Sequence, residues 1–298
     1  MSEDNQAEMT SSCCASCHIA KVDGIKLKEC ADCKSVKYCS DTCQKNHKSQ
    51  HEDDCKKRAV ELRDELLFKQ PENSHLGDCP ICMIPLQLDQ SKSSLYSCCS
   101  KIICGGCDRA NDSREEMASL EPKCPFCRTP VPTKNELDKR RMKRIEVNDP
   151  VAMRQWGVQQ YKKGDYSTAF EYFARAAELG NAEAHYRLSQ MYDLGNGIEK
   201  DGGKEMYHLE EAAIGGHPNA RFNLGCIEWN NDNKERAVKH WIIAAAQGDD
   251  KSIKYLMNAY KGGFVSKENL AAALRAQKAA VDETKSPQRE AAEKAFAS

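Results

Sequence analysis

The chain has 298 residues, a formal net charge of −1 and 17 cysteines. Charged residues make up 30% of the chain in nearly equal numbers of each sign, so no overall field favours nucleic acid or an anionic membrane surface. Sixteen of the cysteines fall before residue 128. Composition therefore points to cysteine chemistry and to protein partners, without nucleic acid and without a membrane.

The reduced state of these cysteines is the first expectation. Residues 1–12 are polar and contain no apolar signal core, and no later run is apolar enough to span a membrane. A disulfide framework would need an oxidising compartment, and the odd cysteine count also disfavours it. We expect thiolates that hold zinc, a disordered N-terminus over 1–12 and a cytoplasmic location, with the nucleus as the alternative.

The first set of candidate ligands follows the pattern C-x-x-C, C-x-x-C, C-x-x-x-C and H-x-x-x-C. It consists of Cys14, Cys17, Cys30, Cys33, Cys39, Cys43, His51 and Cys55. Eight ligands close two tetrahedral zinc sites and leave no position for water or substrate. Apolar residues between the pairs are few, so metal binding, worth on the order of 10–16 kcal/mol in small fingers, must replace a hydrophobic core. Spacing alone leaves the pairing open.

With Tyr38-Cys39-Ser40 and Cys43-Gln44 at its centre, this segment resembles a MYND finger, over residues 13–56. The resemblance implies interleaved sites and binding of short, often proline-containing peptide segments of other proteins. The implied sites are Cys14, Cys17, Cys39 and Cys43 for one ion, and Cys30, Cys33, His51 and Cys55 for the other. Cys13 is expected to be spare. His47 is interpreted as a solvated helix residue, with a substitute ligand as the alternative.

A helix is predicted to link the first set of ligands to the second. Ala59, Leu62 and Leu66 recur at helical spacing, and Pro71 marks the stop, which gives a linker helix over 57–75.

The second set of candidate ligands lies within 76–132. It consists of Cys79, Cys82, Cys98, Cys99, Cys104, Cys107, Cys124 and Cys127. The strings Cys79-Pro80-Ile81-Cys82 and Cys124-Pro125-Phe126-Cys127-Arg128 resemble an all-cysteine RING finger. That resemblance implies one site from Cys79, Cys82, Cys104 and Cys107, and another from Cys98, Cys99, Cys124 and Cys127.

Adjacent Cys98 and Cys99 depart from the RING pattern, in which these two ligands are separated. Neighbouring side chains of an extended segment point to opposite faces, so both sulfurs reach one ion only if the backbone bends there. Without such a bend, one of the two cysteines is spare.

Ubiquitin ligases of the RING class have no catalytic residue of their own and act by orienting a charged ubiquitin-conjugating enzyme. The resemblance assigns the contact with that enzyme to Ile81, Pro125 and Arg128. Arginine suits the role because its planar fork can donate to two acceptors. In the alternative interpretation Ile81 and Pro125 only stiffen their loops, and Arg128 is solvated.

Residues 149–283 repeat with a period of 32 to 36. Ala152, Ala184, Ala220 and Ser252 correspond, and Gly180, Gly216 and Gly248 close successive units. Such a period is typical of helix–turn–helix solenoids. The segment 182–216 resembles a Sel-one-like repeat, a relative of the tetratricopeptide repeat; we count about four, and the resemblance implies a concave surface for protein ligands.

Side chains around and within the array have two interpretations each. The basic linker 133–148 contains KRRMKR, which is interpreted as a solvated helix face, with a nuclear import signal as the alternative. Five aromatic residues either line the concave surface or belong to the core: Tyr161, Tyr192, Trp229, Trp241 and Tyr260. Cys226 is expected to be a buried inert thiol. Residues 284–298 are predicted to form a capping helix or tail.

The predicted fold is mixed, with two small zinc-stapled α+β modules followed by an all-α repeat solenoid. Four zinc ions are expected. The predicted function is a RING-type ubiquitin-protein ligase that recruits protein substrates through its MYND finger and repeats; the alternative is a non-catalytic zinc-dependent adaptor between proteins.

Overall fold

The computed structural model describes residues 13–19 and 26–297, so the predicted disorder of residues 1–12 lies outside the described residues. The chain divides into two compact units, Met1–Lys69 and Gln70–Ser298. Within the described ranges, we find no helix with the length and apolar character needed to cross a bilayer.

The first unit is built from a short antiparallel ladder and one long helix. Strands β1 (Lys28–Glu29) and β2 (Lys37–Tyr38) pair with Lys28 opposite Tyr38. Helix α1 (Asp41–Leu67) begins after Ser40, whose side chain accepts from the Cys43 backbone N–H. The predicted linker helix is thus continuous with the last helix of the finger, and it ends at Leu67, short of Pro71.

The second unit begins with the second cysteine module. After a 3₁₀ turn (Gln90–Lys92), strands β3 (Ser93–Tyr96) and β4 (Lys101–Cys104) form a hairpin, and helix α2 (Gly105–Met117) follows directly. The small core of the module includes Leu86 and Ile103, which pack with cysteine side chains. Apolar burial is again limited, as expected of a fold that metal stabilises.

Helix α3 (Lys134–Glu146) leads into a helical array. The array contains α4 (Pro150–Lys162), α5 (Tyr166–Glu178), α6 (Ala182–Leu194), α7 (Gly202–Ile214), α8 (Pro218–Asn230), α9 (Lys234–Ala245), α10 (Asp250–Lys261) and α11 (Lys267–Glu283). Consecutive helices pack as four pairs, and helix α12 (Pro287–Ala297) follows.

The sequence repeat is explained by burial and capping at equivalent positions. Ala152, Ala184, Ala220 and Ser252 are all at most 1% exposed, since the helices approach closely there. Each repeat then starts from a left-handed residue followed by a helix N-cap, as in Gly180-Asn181 and Gly248-Asp249.

Aromatic side chains of the array serve mainly its core. Trp241 is 1% exposed and Tyr192 is 8% exposed, so neither lines a binding surface. Tyr161 and Trp229 are half-buried against the core clusters, whereas Tyr260 is 41% exposed. Cys226 is also half-buried, and burial raises the pKa of its thiol.

Candidate metal centres

Two groups of four potential ligands lie in the first unit. They are Cys14, Cys17, Cys39 and Cys43, and Cys30, Cys33, His51 and Cys55. In the first group the sulfur of Cys39 lies 3.5 Å from those of Cys17 and Cys43. In the second, Cys33 Sγ lies 3.2 Å from His51 Nε2.

Helix α1 supplies ligands to both groups. Cys43 lies in its first turn, where the Ser40 cap fixes the backbone, and its neighbours in the first group come from the N-terminal pair and from Cys39. His51 and Cys55 are four residues apart and therefore share one helix face, which directs them to the same group. A single helix thus ties the two sites together.

Two further groups lie in the second cysteine module. They are Cys79, Cys82, Cys104 and Cys107, and Cys98, Cys99, Cys124 and Cys127. Cys82 Sγ and Cys104 Sγ are 3.8 Å apart, and Cys99 Sγ and Cys124 Sγ are 3.9 Å apart. Along the chain, cysteine pairs of the two groups alternate. Each site therefore forms only when two pairs that are separated by a pair of the other site come together.

The hairpin turn between β3 and β4 brings the adjacent Cys98 and Cys99 into one group. The backbone N–H of Ser100 donates to the Tyr96 carbonyl, and Ser100 itself adopts a left-handed φ of 56°. This bend directs Cys98 Sγ to within 3.3 Å of Cys127 Sγ while Cys99 faces Cys124. The turn therefore supplies the bend that two adjacent ligands require.

Four of the five C-x-x-C pairs share one backbone conformation; the exception is Cys104–Cys107, whose second cysteine lies in α2. In those four, the residue after the second cysteine has a positive φ: His18, Lys34, Met83 and Arg128, at 59°, 57°, 56° and 60°. Its N–H donates to the carbonyl of the first cysteine, as in Met83 to Cys79 at 2.8 Å. Left-handed backbone is unfavourable for these residues, so the cysteine pairs hold it in place.

The donor sets fit zinc. With Zn–S bonds of about 2.3 Å, tetrahedral geometry separates the sulfurs by about 3.8 Å, and the S–S distances here run from 3.3 to 3.9 Å. A disulfide would require about 2.05 Å. None of the 17 cysteines is in a disulfide, and the three all-cysteine groups and the one Cys₃His group match structural zinc sites.

Crowding shifts the pKa values of the thiols in both directions. In the site of Cys79, the side chain of Cys104 donates a hydrogen bond that lowers the Cys79 pKa to about 4, while the same contact raises the Cys104 pKa. In the finger, burial opposes ionisation of Cys14, but the backbone N–H groups of Cys17, Cys39 and Ser16 outweigh it and lower the pKa to about 6. Neighbouring thiols raise the Cys39 pKa to about 12. Four crowded thiols cannot all ionise without a cation between them.

His47, interpreted from the sequence as a solvated helix residue or a substitute ligand, contacts a tyrosine and a ligand histidine. Its Nδ1 lies 3.1 Å from the hydroxyl of Tyr38, and its ring stacks on that of His51 with 5.5 Å between centroids. His47 is half-buried and lies outside both groups of four potential ligands, and its ring supports the orientation of His51. Cys13 belongs to neither group of four in the described part of the finger.

The three residues assigned to a conjugating-enzyme contact lie in different environments. Ile81 is 42% exposed, and Pro125 is half-buried. Arg128 donates to the side chains of Asn111 at 2.6 Å and Glu115 at 2.7 Å, and Glu115 is only 2% exposed. The Arg128 side chain is 42% exposed, and it links the last knuckle to α2 through contacts that sequence reasoning missed.

A fifth cluster joins the start of the second unit to its repeats but does not fit a metal. His217 Nε2 lies 2.9 Å from Glu183 Oε2, and His75 Nε2 lies 3.5 Å from the same oxygen. However, His217 Nδ1 accepts the backbone N–H of Ala220, so the ring proton is on Nε2 and points at Glu183. Arg187 also pairs with Glu183. The cluster is a hydrogen-bonded link rather than a ligand set.

Family comparisons define the class of this protein. The model of the MYND finger matches residues 14–55, and the model of the Sel1 repeat matches 151–181, 182–217 and 218–249. The protein is a zinc-binding protein with a MYND finger and a Sel1 repeat solenoid, which confirms the predicted fold class and cofactor. Neither model covers the second cysteine module.

Among individual proteins, the chain is similar to DAP3-binding cell death enhancer 1 of Mus musculus, with 25% identity over 174 residues, and of Rattus norvegicus, with 23% over 171. The alignments cover 45% and 44% of this chain, which spans about a third (34%) of the length of each relative.

Two solved structures are partly similar. One is a protective antigen of uropathogenic Escherichia coli with an SLR fold, at 24% identity over 49% of this chain and 33% of that one, with a TM-score of 0.42. The other is a Sel1 repeat protein from Oxalobacter formigenes, at 21% identity over 58% and 71%, with a TM-score of 0.44.

Proposed function

We propose that this protein is a zinc-dependent adaptor that joins other proteins through its MYND finger and its Sel1 repeats. The observation that carries the proposal is the closure of all four metal sites. Each has four protein ligands and no place for a substrate, so zinc supports binding surfaces rather than hydrolysis. Peptide and protein partners are then recognised by the surfaces that the metal stabilises.

A groove on the finger is the candidate peptide site. Its volume is about 760 Å³, and it runs along α1 from Asp41 to Ala59, beside Cys30, His51 and Cys55 of the second zinc group. Gln44, Lys48, Glu52 and Ala59 line it, which provides hydrogen-bonding groups beside a small apolar side chain. Such a surface suits an extended peptide with alternating polar and apolar contacts.

Filling the groove tests the adaptor proposal. Proline-containing peptides would be selected by display against the zinc-loaded chain, and their affinity measured by calorimetry. Ala59→Trp should weaken binding at least tenfold because the indole occupies the groove, whereas Val60→Trp, at a neighbouring position that is 63% exposed, should not. Equal enrichment on the chelated protein, or equal binding by both variants, would contradict the proposal.

The repeats are the second candidate surface. DAP3 is the partner named for the mouse and rat relatives, so it is the first protein to test against this chain. Binding should survive Ala59→Trp if the repeats carry it.

We also propose a cytoplasmic location. In helix α3 the basic run is engaged internally, with Arg140 donating to the Pro130 carbonyl and Arg144 paired with Asp149.

A ubiquitin ligase is the second candidate function. Two exposed apolar residues, one on the first knuckle and one on the last knuckle of the cysteine module, favour it, namely Ile81 at 42% and Phe126 at 44% exposure. Together with Pro125 they could receive a ubiquitin-conjugating enzyme, as in the RING fingers that this module resembles. The engagement of Arg128 with Glu115 speaks against a free arginine for ubiquitin.

Ubiquitin-chain formation distinguishes the two candidates. Zinc-loaded protein would be incubated with activating enzyme, a panel of conjugating enzymes and ubiquitin. If the module is a ligase, Ile81→Ala should abolish the chains and Val147→Ala, an exposed position outside the module, should leave them unchanged. The absence of chains across the panel leaves the adaptor function.

A further inference from the structure

The last helix of the chain is packed against the second cysteine module. Gly106, at the start of α2, allows this approach, because a Cβ there would lie 2.9 Å from the backbone nitrogen of Arg289 on α12. Glu293 accepts from Lys92 at 2.9 Å and from Gln87 at 3.2 Å. Ala292 is 4% exposed in the same contact. The helix is therefore held by close packing and by polar contacts.

Arg289 reaches from this helix into the first metal knuckle of the module. Its Nη1 donates to the Pro85 carbonyl at 2.6 Å, and its Nη2 donates to the Ile84 carbonyl at 3.0 Å. The same Nη2 lies 3.6 Å from Cys82 Sγ, one of the four potential ligands. Nη1 also donates to the Thr284 carbonyl at 2.7 Å, which fixes the start of the helix.

The charge of Arg289 requires a partner in this position. The side chain is 3% exposed, and an uncompensated charge so deeply buried is strongly unfavourable. Four thiolates around one divalent ion carry a net charge of −2, which the guanidinium offsets at contact distance. Its planar fork can hold the knuckle backbone and a ligand sulfur together, which a lysine cannot do.

We propose that Arg289 is a positioning residue of the zinc site of Cys79, Cys82, Cys104 and Cys107, so that α12 is part of that metal centre. Its N–H groups hold the knuckle in its ligating conformation and donate to a ligand sulfur. Thermodynamic linkage makes the effect reciprocal. The free energy by which Arg289 strengthens zinc binding equals the free energy by which zinc strengthens the docking of α12. Zinc binding at this site is required, but the proposal does not depend on which proteins the chain binds.

Site-resolved zinc release tests the proposal. The full zinc-loaded chain would be exposed to excess chelator with N-ethylmaleimide, and each cysteine that loses its metal would be located by mass spectrometry. Outer-sphere partners of a metal typically change its affinity about 10–100-fold. We expect Arg289→Ala to accelerate alkylation of Cys79, Cys82, Cys104 and Cys107 by about that factor, while the two finger sites keep their rates.

Three matched variants separate the guanidinium from the helix. Arg289→Lys keeps the charge without the fork and should give an intermediate rate. Glu293→Gln loosens the helix without touching the knuckle and should have a smaller effect. Arg275→Ala removes an exposed arginine of α11 and should release zinc at the wild-type rate.

A reciprocal measurement follows α12 itself. Amide hydrogen exchange in 287–297 should accelerate when zinc is removed from the wild-type chain, because the charge opposite Arg289 is lost. The proposal would be overturned if Arg289→Ala released zinc from this site at the wild-type rate. It would also be overturned if Glu293→Gln accelerated the release as much as Arg289→Ala does. If circular dichroism shows that Arg289→Ala does not fold, Arg289→Lys takes its place. Zinc release from folded Arg289→Lys at the wild-type rate would then overturn the proposal.

Discussion

Residues with left-handed backbone follow four of the five C-x-x-C pairs, and none of the four is a glycine. Met83 has a φ of 56° and is 69% exposed, so its side chain contributes little packing. The strain of an ordinary residue in this region is on the order of 1 kcal/mol. Metal binding offsets this strain, which is why a methionine is tolerated here.

Substitutions at Met83 should therefore act through the backbone. Met83→Gly should raise the free energy of unfolding by up to about 1 kcal/mol, because glycine adopts positive φ readily. Met83→Val should lower it by a similar amount, since a β-branched residue is least suited to this region. Denaturant unfolding of the zinc-loaded chain measures both, and the opposite ranking would show that the side chain matters more than the backbone.

Ligand identities at this scale follow from sequence spacing, but their supporting contacts do not. Repeated cysteine pairs are visible in the sequence because each knuckle is local. Arg128 and Glu115, or Tyr38 and His47, meet only after the chain has folded back on itself. Whether adjacent Cys98 and Cys99 share an ion depended on the turn at Ser100, for which the sequence carries no glycine signal.

Helix pairs of the array pack through glycines as well as alanines. A Cβ at Gly225 on α8 would lie 2.4 Å from Nε1 of Trp241 on α9, and Trp241 is 1% exposed. Gly157 meets Phe173 in the same way in the first repeat. At these positions the large ring on the second helix occupies the space that the missing side chain leaves.

Gly225→Ala should consequently destabilise the array although alanine favours helices. Overpacking typically costs about 1–3 kcal/mol, which exceeds the gain of about 1 kcal/mol in helix propensity. Gly202→Ala, at the first residue of α7 where a Cβ would meet nothing within 4 Å, is the matched control and should be neutral or slightly stabilising. Thermal unfolding followed by circular dichroism measures both, and equal changes would contradict this account of the packing.

Elements of the array were largely predictable, whereas the helix ends of the zinc modules were not. Period, small residues and caps such as Asp149 are local signals that agree with one another. By contrast, α1 runs unbroken from Asp41 to Leu67 because the finger helix and the linker have no breaking residue between them. Aromatic positions gave the least reliable guide, since helical spacing does not separate core Trp241 from exposed Tyr260.

Across the whole molecule, two kinds of core differ in their dependence on metal. The zinc modules bury mainly cysteine side chains, whereas the array buries clusters around Phe173, Leu188, Trp241 and Leu256. Exhaustive chelation should release four zinc ions and unfold the modules while most of the helical signal remains. Native mass spectrometry and circular dichroism measure the two effects, and a complete loss of helical signal would contradict the separation.

Acid should weaken the array independently of zinc. Burial lowers the pKa of His217 and His240, to about 4 and about 3 from 6.5. Because the unfolded chain then binds more protons than the folded one, stability is present above about pH 6.5 and is lost as the pH falls toward 4, by on the order of 1–3 kcal/mol per histidine.

Unfolding of the helical signal measured from pH 7 to pH 4, with and without chelator, tests this dependence. The slope should be the same in both series, and His240→Gln should reduce it. A slope that vanishes in the chelated series would assign the acid sensitivity to the thiolates instead.

Pairing of Cys82 with Arg289 spans 207 positions, which has a consequence for biosynthesis. A ribosome must add the entire array after the knuckle has emerged before the guanidinium can reach it. In each nascent chain, the thiols of this site are therefore present before Arg289 has been synthesised. A cell short of zinc, or under oxidative stress, should damage newly synthesised copies far more readily than finished ones.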